Sequence, residues 1–393
     1  MARIFQGMNL FMASQEEMFE DAVVIVEEGR IAACGTSELL PHEAEEVINL
    51  EGMTLLPGLI DAHIHSLLDA SADAINRLVT ETKTQTVLKA AINLEKTLQQ
   101  GITTIRDLGG KNYIEMELKE AINNELIKGP RMLVAGKLLS MTGGHGHQIA
   151  READGRNELR KAAREQLKAG ADQIKIIATG GVLTKGVKPG SAQLSRDEME
   201  AAVEEAHRAG KKAASHAQGT KGIEDALLAG IDSIEHGIFL DEKTLELMLE
   251  SNAFLVPTLT APKRIIEAGE EKGVPEYAVR KAAQTIDRHR ESFQLALKAG
   301  VKIAMGTDAG TPFNEHGKNT EELVLMVEAG MKPSEAIRAA TIQAAELLGI
   351  DDELGSIEVG KTADMIAVSG NPLENIKDMA EVKEVYQAGK RVF

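Results

Sequence analysis

Tryptophan is absent from the 393 residues and aromatic side chains make up only 3% of them, which weighs against an aromatic-stacked pocket and selects no ligand by itself. Cysteine occurs once, as Cys34, so no intrachain disulfide can form, and the residue reads as a small buried apolar side chain. Long apolar runs are missing too. The longest, such as Leu55 to Ile60, fall far short of the roughly 20 residues that span a bilayer. The first residues, Met-Ala-Arg-Ile-Phe-Gln-Gly-Met, lack a cationic segment followed by a sustained apolar run and read as the first strand of the fold. A soluble, cytoplasmic protein with no membrane partner is the expectation. Basic residues are also scarce: 44 Lys and Arg stand against 61 Asp and Glu, a formal charge of −17 that would repel a phosphate backbone. Nucleic acid is excluded as a partner on that ground.

What is present is a chain too long for one hydrophobic core, so a large domain with a smaller appendage is expected. The first fifty residues give short β-branched strands at Ala22 to Val26, Ile31 to Cys34 and Val47 to Leu50. The last forty return to that style, with Gly360-Lys361-Thr362-Ala363-Asp364 leading into Met365 to Val368, then Val382 to Tyr386 and Arg391 to Phe393. The two ends together suit one small β-sandwich domain, residues 1–56 with 357–393.

Between them, residues 57–356 alternate strands and helices, the pattern of parallel βαβ units. Strands are predicted at Leu59 to Ala62, Thr103 to Arg106, Met132 to Ala135, Gln173 to Ile177, Ala213 to His216, Ser233 to His236, Phe254 to Pro257 and Lys302 to Met305. Eight such strands close a (β/α)8 TIM barrel, giving an α/β fold class. Helices such as Arg196 to Ala209 and Glu321 to Ala329 stop at glycine. A phrase of the type Ala-Gly before the next strand recurs at Gly101, Gly170, Gly210, Gly230, Gly300 and Gly330, at intervals too uneven for a solenoid.

In a barrel, chemistry sits where strands end at the C-terminal face. His63 and His65 follow the first strand, and alternate residues of an extended segment point the same way, so both imidazoles can face one ion. His216, His236 and Asp308 end the fifth, sixth and eighth strands. Imidazole and carboxylate suit a borderline ion such as Zn²⁺. Lys175 lies inside the fourth strand, where burial lowers an ammonium's pKa and frees a neutral amine. Such an amine can take up CO₂, and the resulting carbamate supplies the anionic charge that two divalent ions need beside one carboxylate.

These phrases, Pro-Gly-Leu-Ile-Asp-Ala-His-Ile-His, Ile-Lys-Ile-Ile-Ala-Thr-Gly-Gly, Ser-His-Ala-Gln-Gly, Ser-Ile-Glu-His-Gly and Gly-Thr-Asp-Ala-Gly, resemble the amidohydrolase superfamily, binuclear-metal branch, over nearly the whole chain. Within it the chain is most similar to the Xaa-Pro dipeptidase-like and imidazolonepropionase-like group. Thr-Gly-Gly-His-Gly and His316-Gly317-Lys318-Asn319 pull it to the peptidase side. The resemblance implies that His63, His65 and Asp308 hold one metal, that His216 and His236 hold a second, and that carboxylated Lys175 bridges them. It also implies self-association into a homo-oligomer. Dipeptidase-like relatives place a Tyr shortly after the sixth-strand His to meet the substrate carboxylate, whereas this chain has Phe239.

The expected activity is hydrolysis of a C–N amide bond in a small dipeptide or N-acyl amino acid, by attack of a hydroxide bridging two metal ions. Asp308 would take its proton and pass it to the leaving nitrogen, and His145 would donate to the oxyanion. Hydrolysis of a cyclic amide or imidazolone is the alternative, and a non-enzymatic scaffold of the same fold is the third. Around the site, His147 reads as a solvated loop residue, Asp107 as a loop cap and Glu235 as a structural residue behind the ligands. His316 is equally suited to reach the pocket or to fix its loop. His42, His207 and His289 read as surface residues, and Met326 and Met331 as core.

Overall fold

The computed structural model describes residues 2–36 and 44–393, and the reading of His42 falls outside them. From the N-terminus come β1 (Ala2–Phe11), β2 (Met18–Glu27), β3 (Arg30–Thr36), β4 (Glu46–Asn49) and β5 (Met53–Pro57). β6 (Leu59–Ile64) follows after Gly58 alone. The apolar run that reads as one stretch is thus cut in two. A Cβ at Gly58 would stand 2.2 Å from Thr103 Oγ1, so only glycine lets the chain pass there.

Next come β7 (Ile102–Asp107), β8 (Arg131–Val134), β9 (Leu139–Ser140), β10 (Arg151–Glu152), β11 (Gln173–Ile177), β12 (Lys212–Ala217), β13 (Ser233–His236) and β14 (Phe254–Val256). The chain closes with β15 (Met365–Ser369), β16 (Val382–Gln387) and β17 (Lys390–Arg391). Both ends meet in one eight-stranded sheet, ordered β17-β16-β15-β5-β1-β2-β3, with β4 beside β1. β5 is the seam: it runs parallel to β1, pairing Leu55 with Leu10, and antiparallel to β15, pairing Leu56 with Ile366. Phe5, Met8, Leu55, Met365 and Tyr386 share its core, where the Phe5 and Tyr386 rings meet edge to face at 4.9 Å. Cys34 is half-buried at its margin, and its Sγ donates to the Ile357 carbonyl at 3.7 Å.

The middle of the chain is an α/β domain of TIM-barrel type, in which β6-β7-β8 and β11-β12-β13-β14 run parallel. The eighth predicted strand departs from regularity. Residues 302–309 form only isolated bridges, at Ile303 and Ala309, yet they lie between β14 and β6. Leu255 N donates to the Lys302 carbonyl at 2.9 Å on one side, and Ala62 N donates to the Met305 carbonyl at 2.9 Å on the other. Gly306 explains the irregularity, because a Cβ there would lie 2.4 Å from Val256 and 2.7 Å from His63 Cβ. Between β8 and β11, β9 takes up the pairing through Leu139 and Ile176, and Asp172 N donates to the Val134 carbonyl at 2.8 Å.

All six glycines of the repeated phrase have φ between +67° and +111°, the left-handed stop that returns each helix to its strand. The helices run Arg196–Arg208 and Glu321–Glu328 at the predicted positions, and Met326 and Met331 are buried in the core. Among the described residues no helix is long and apolar enough to cross a membrane.

Candidate metal centre

The strand ends deliver their polar residues to one cavity. β6 brings His63 and, one residue past its end, His65; β11 brings Lys175, β12 His216, β13 His236, and the irregular segment Asp308. Asp308 Oδ1 lies 3.4 Å from His63 Nε2 and 3.4 Å from His65 Nε2. The ligating atoms of these three residues all fall within 4.8 Å of one another, close enough to hold one ion. Across the cavity, His236 Nε2 and His216 Nδ1 are 2.9 Å apart, and the His63 and His236 rings are centred at 5.2 Å.

Three of the four imidazoles are turned by a partner on the far side. His63 Nδ1 donates to Glu235 Oε2 at 2.8 Å, His65 Nδ1 to the Gly109 carbonyl at 3.0 Å, and His236 Nδ1 to Thr258 Oγ1 at 2.7 Å. These bonds present Nε2 to the cavity, the arrangement that fixes a metal-binding tautomer. Glu235 also accepts from Arg106 Nη2 at 2.8 Å and from Ser233 Oγ at 2.5 Å, wholly buried. It supports the ligands rather than joining them.

The backbone is bent to suit. His236, Thr258 and Asp308 have φ of +71°, +53° and +60°, a region that non-glycine residues enter at a cost and that clusters at functional sites. The turn at His236 breaks strand alternation, so that adjacent Glu235 and His236 both serve the same centre. Asp61, unremarked in the sequence, ties β6 to the irregular segment. It accepts from Thr307 Oγ1 at 2.6 Å, Asn319 Nδ2 at 2.7 Å and His63 N at 3.1 Å.

Electrostatics match the donor set. Burial holds the His216 and His236 imidazoles well below their ordinary pKa, so both are neutral at pH 7, the state that binds a metal. Burial pushes Asp308 and Glu235 upward, but His63 and His65 around the first, and Arg106 and His63 around the second, hold both carboxylates below their usual range. Lys175 is 2% exposed, and burial lowers it to about 8 against the pull of Glu235. Its Nζ and His216 Nε2 are buried without a hydrogen-bond partner among the described residues. Orphaned buried nitrogens of this kind, beside three convergent donors, fit a site built for divalent ions.

His145 lines the same cavity from its glycine loop. Its Nδ1 pairs with Thr184 Oγ1, its ring packs against His216 at 4.3 Å, and burial lowers its pKa to about 4. The other candidates stay outside. His147 hydrogen-bonds the Gly144 carbonyl at 3.0 Å, and Asp107 caps its loop by accepting from Ser66 N and Gly109 N, each at 3.0 Å. His316 fixes its loop through the Leu68 carbonyl at 2.9 Å, and His207 pairs with Asp232 at 2.8 Å on the surface. Phe239 does not line the cavity; its neighbour Ile238 does.

His289 requires a correction. Read as a surface residue, it is 2% exposed and lines the cavity. Its helix, Glu276–Ala299, turns Ala278, Ala282, Thr285, His289, Phe293 and Ala296 inward. That spacing of three and four was the available signal, masked by the charged neighbours Arg288 and Arg290.

Comparison with known proteins shows the family. The model of the amidohydrolase family matches residues 54–392. Ochratoxinase from Aspergillus niger is 33% identical, over 97% of this chain and 84% of its own length. A solved Xaa-Pro dipeptidase with methionine bound in its active site is 34% identical with a TM-score of 0.94, covering 100% of this chain and 99% of its own. A prolidase complexed with N-methylphosphonate-L-proline is 32% identical with a TM-score of 0.93, at 100% and 99% coverage. The chain therefore belongs to the amidohydrolase family and is a hydrolase of amide bonds.

Proposed function

We propose that the protein hydrolyses the amide bond of a small dipeptide or N-acyl amino acid with the help of two divalent ions, Zn²⁺ by donor chemistry. His63, His65 and Asp308 would hold one ion, His216 and His236 the other, and Lys175, carboxylated by CO₂, would bridge them. The observation that carries the reading is the approach of Asp308 to both His63 and His65 at 3.4 Å, in the cavity that also holds the unpartnered Lys175 Nζ. Relatives named ochratoxinase and prolidase support the amide class, and the methionine in one relative's active site supports an amino-acid ligand.

Divalent ions supply Lewis acidity and an acidified water. Asp308, within reach of both imidazoles, would accept a proton from the attacking water and pass it to the leaving nitrogen. His145, neutral at pH 7, donates to the developing oxyanion. The same reading takes residues 1–56 and 357–393 as one sandwich-type β-domain and 57–356 as the barrel, supported by the seam of β5 with β15.

A screen of dipeptides and N-acyl amino acids with Zn²⁺ and bicarbonate, alongside elemental analysis, tests the reading. Two ions per chain and release of a free amino acid are expected. Turnover that persists after complete chelation overturns it.

A further inference from the structure

Beyond the proposed metal ligands and His145, the cavity wall carries three polar side chains: Gln218, His289 and Thr311. Thr311, the remaining hydroxyl there, is engaged with the Asp308 carbonyl at 2.7 Å. His289 is 2% exposed, and neither of its ring nitrogens has a hydrogen-bond partner among the described residues. The carbonyls of His236 and Pro257 stand near the ring without hydrogen-bond geometry. A buried imidazole left in that state costs folding free energy, which a bound ligand repairs.

The rest of the wall narrows the ligand. Its apolar part is aliphatic, with Leu68, Leu138, Ile149, Val182, Ile238 and Ile265, and among the described residues it carries no arginine or tyrosine. Its one lysine is Lys175, which faces the metal ligands. Lys281, on the same helix as His289, is engaged with the Thr184 carbonyl and stacked over the Tyr277 ring at 5.5 Å. With His145 assigned to the oxyanion, a carboxylate entering this cavity away from the metal centre has the His289 N–H as its remaining ring donor, with the Gln218 carboxamide as the other polar group.

We infer that His289 is a specificity-determining contact that donates a hydrogen bond to the carboxylate of the amino-acid part of the substrate, whose aliphatic side chain packs on the Leu, Ile and Val wall. The inference rests on the amide-hydrolase reading for the identity of that part. Burial keeps the imidazole neutral, so it donates one N–H and brings no charge of its own.

Calorimetric titration of L-leucine and L-leucinamide into the metal-loaded parent, His289→Leu and His289→Gln is the test. Leucine is expected to bind His289→Leu about tenfold or more weaker than the parent, with recovery in His289→Gln. Leucinamide should bind parent and His289→Leu alike, and metal content should be equal in all three. In turnover, the parent should favour N-acetyl-L-leucine over N-isopentylacetamide, which lacks the carboxylate, and His289→Leu should lose that preference through KM. Leucine affinity that is unchanged in His289→Leu, absent from the parent, or lost together with metal overturns the assignment. Leucine binding that depends on His289, with no amide cleaved by the loaded parent, sinks the amide-hydrolase reading and leaves the carboxylate contact standing.

Discussion

Glu235 Oε2 accepts the Nδ1 proton of His63 at 2.8 Å, while its other oxygen takes Arg106 at 2.8 Å. One buried carboxylate thus orients a candidate metal ligand and neutralises a buried guanidinium. Replacing it with glutamine keeps the shape and removes the charge. Glu235→Gln should weaken metal binding about 10–100-fold by competitive chelation, with a lower melting temperature. Glu235→Ala should cost about 3–5 kcal/mol, because Arg106 is left buried and unpaired. Parental metal affinity in Glu235→Gln would show that His63 needs no such support.

As the proposed bridge, Lys175 would set a pH dependence of assembly. Burial lowers its pKa to about 8, and CO₂ adds only to the neutral amine. The neutral fraction is about a tenth at pH 7 and about half at pH 8, so at constant dissolved CO₂ the CO₂-dependent recovery of metal by the stripped protein should speed up about fivefold across that interval. It should level off above pH 9. The sign follows from the direction of the shift: a base with a lowered pKa gives up its proton earlier as pH rises. Recovery independent of bicarbonate, or slower at pH 8 than at pH 7, would remove Lys175 from the bridge.

His145 is held at the cavity by Thr184 and kept neutral down to about pH 4. As an oxyanion donor its loss should lower kcat by about 10²–10³, with metal content unchanged. Because the imidazole does not titrate near its ordinary value, His145→Asn should leave the pH profile between 5.5 and 7.5 with the parent's shape. A shape change in that window, or an unchanged kcat, counts against the role.

The candidate metal ligands were legible because they are local: His and Asp at the ends of short apolar strands and Lys175 within one, each inside a short phrase. Their supports were not. Asp61 meets Thr307 and Asn319, and Arg106 meets Glu235, across separations of more than a hundred residues. No periodicity links such partners; only barrel closure does. The eighth strand was placed correctly and its form was not, since Gly306 and the left-handed Asp308 deny it a regular ladder. His289 was misread because its polar neighbours on the helix outweighed its inward spacing.

Asp308 offers a substitution in which chemistry and folding separate. Its φ of +60° penalises most side chains, and asparagine is among the few that tolerate it. Asp308→Asn should therefore melt within a few degrees of the metal-free parent, whereas Asp308→Ala should lose about 1 kcal/mol in backbone strain. Both lack the carboxylate that approaches His63 and His65 and that their proximity keeps ionised. With no group to take and return the proton, kcat should fall about 10²–10⁴-fold in each. The two variants would then share one activity and differ in stability. An asparagine variant that keeps more than about a tenth of parental kcat at full metal occupancy would mean that another group moves the proton, and Asp308 would be left as a ligand only.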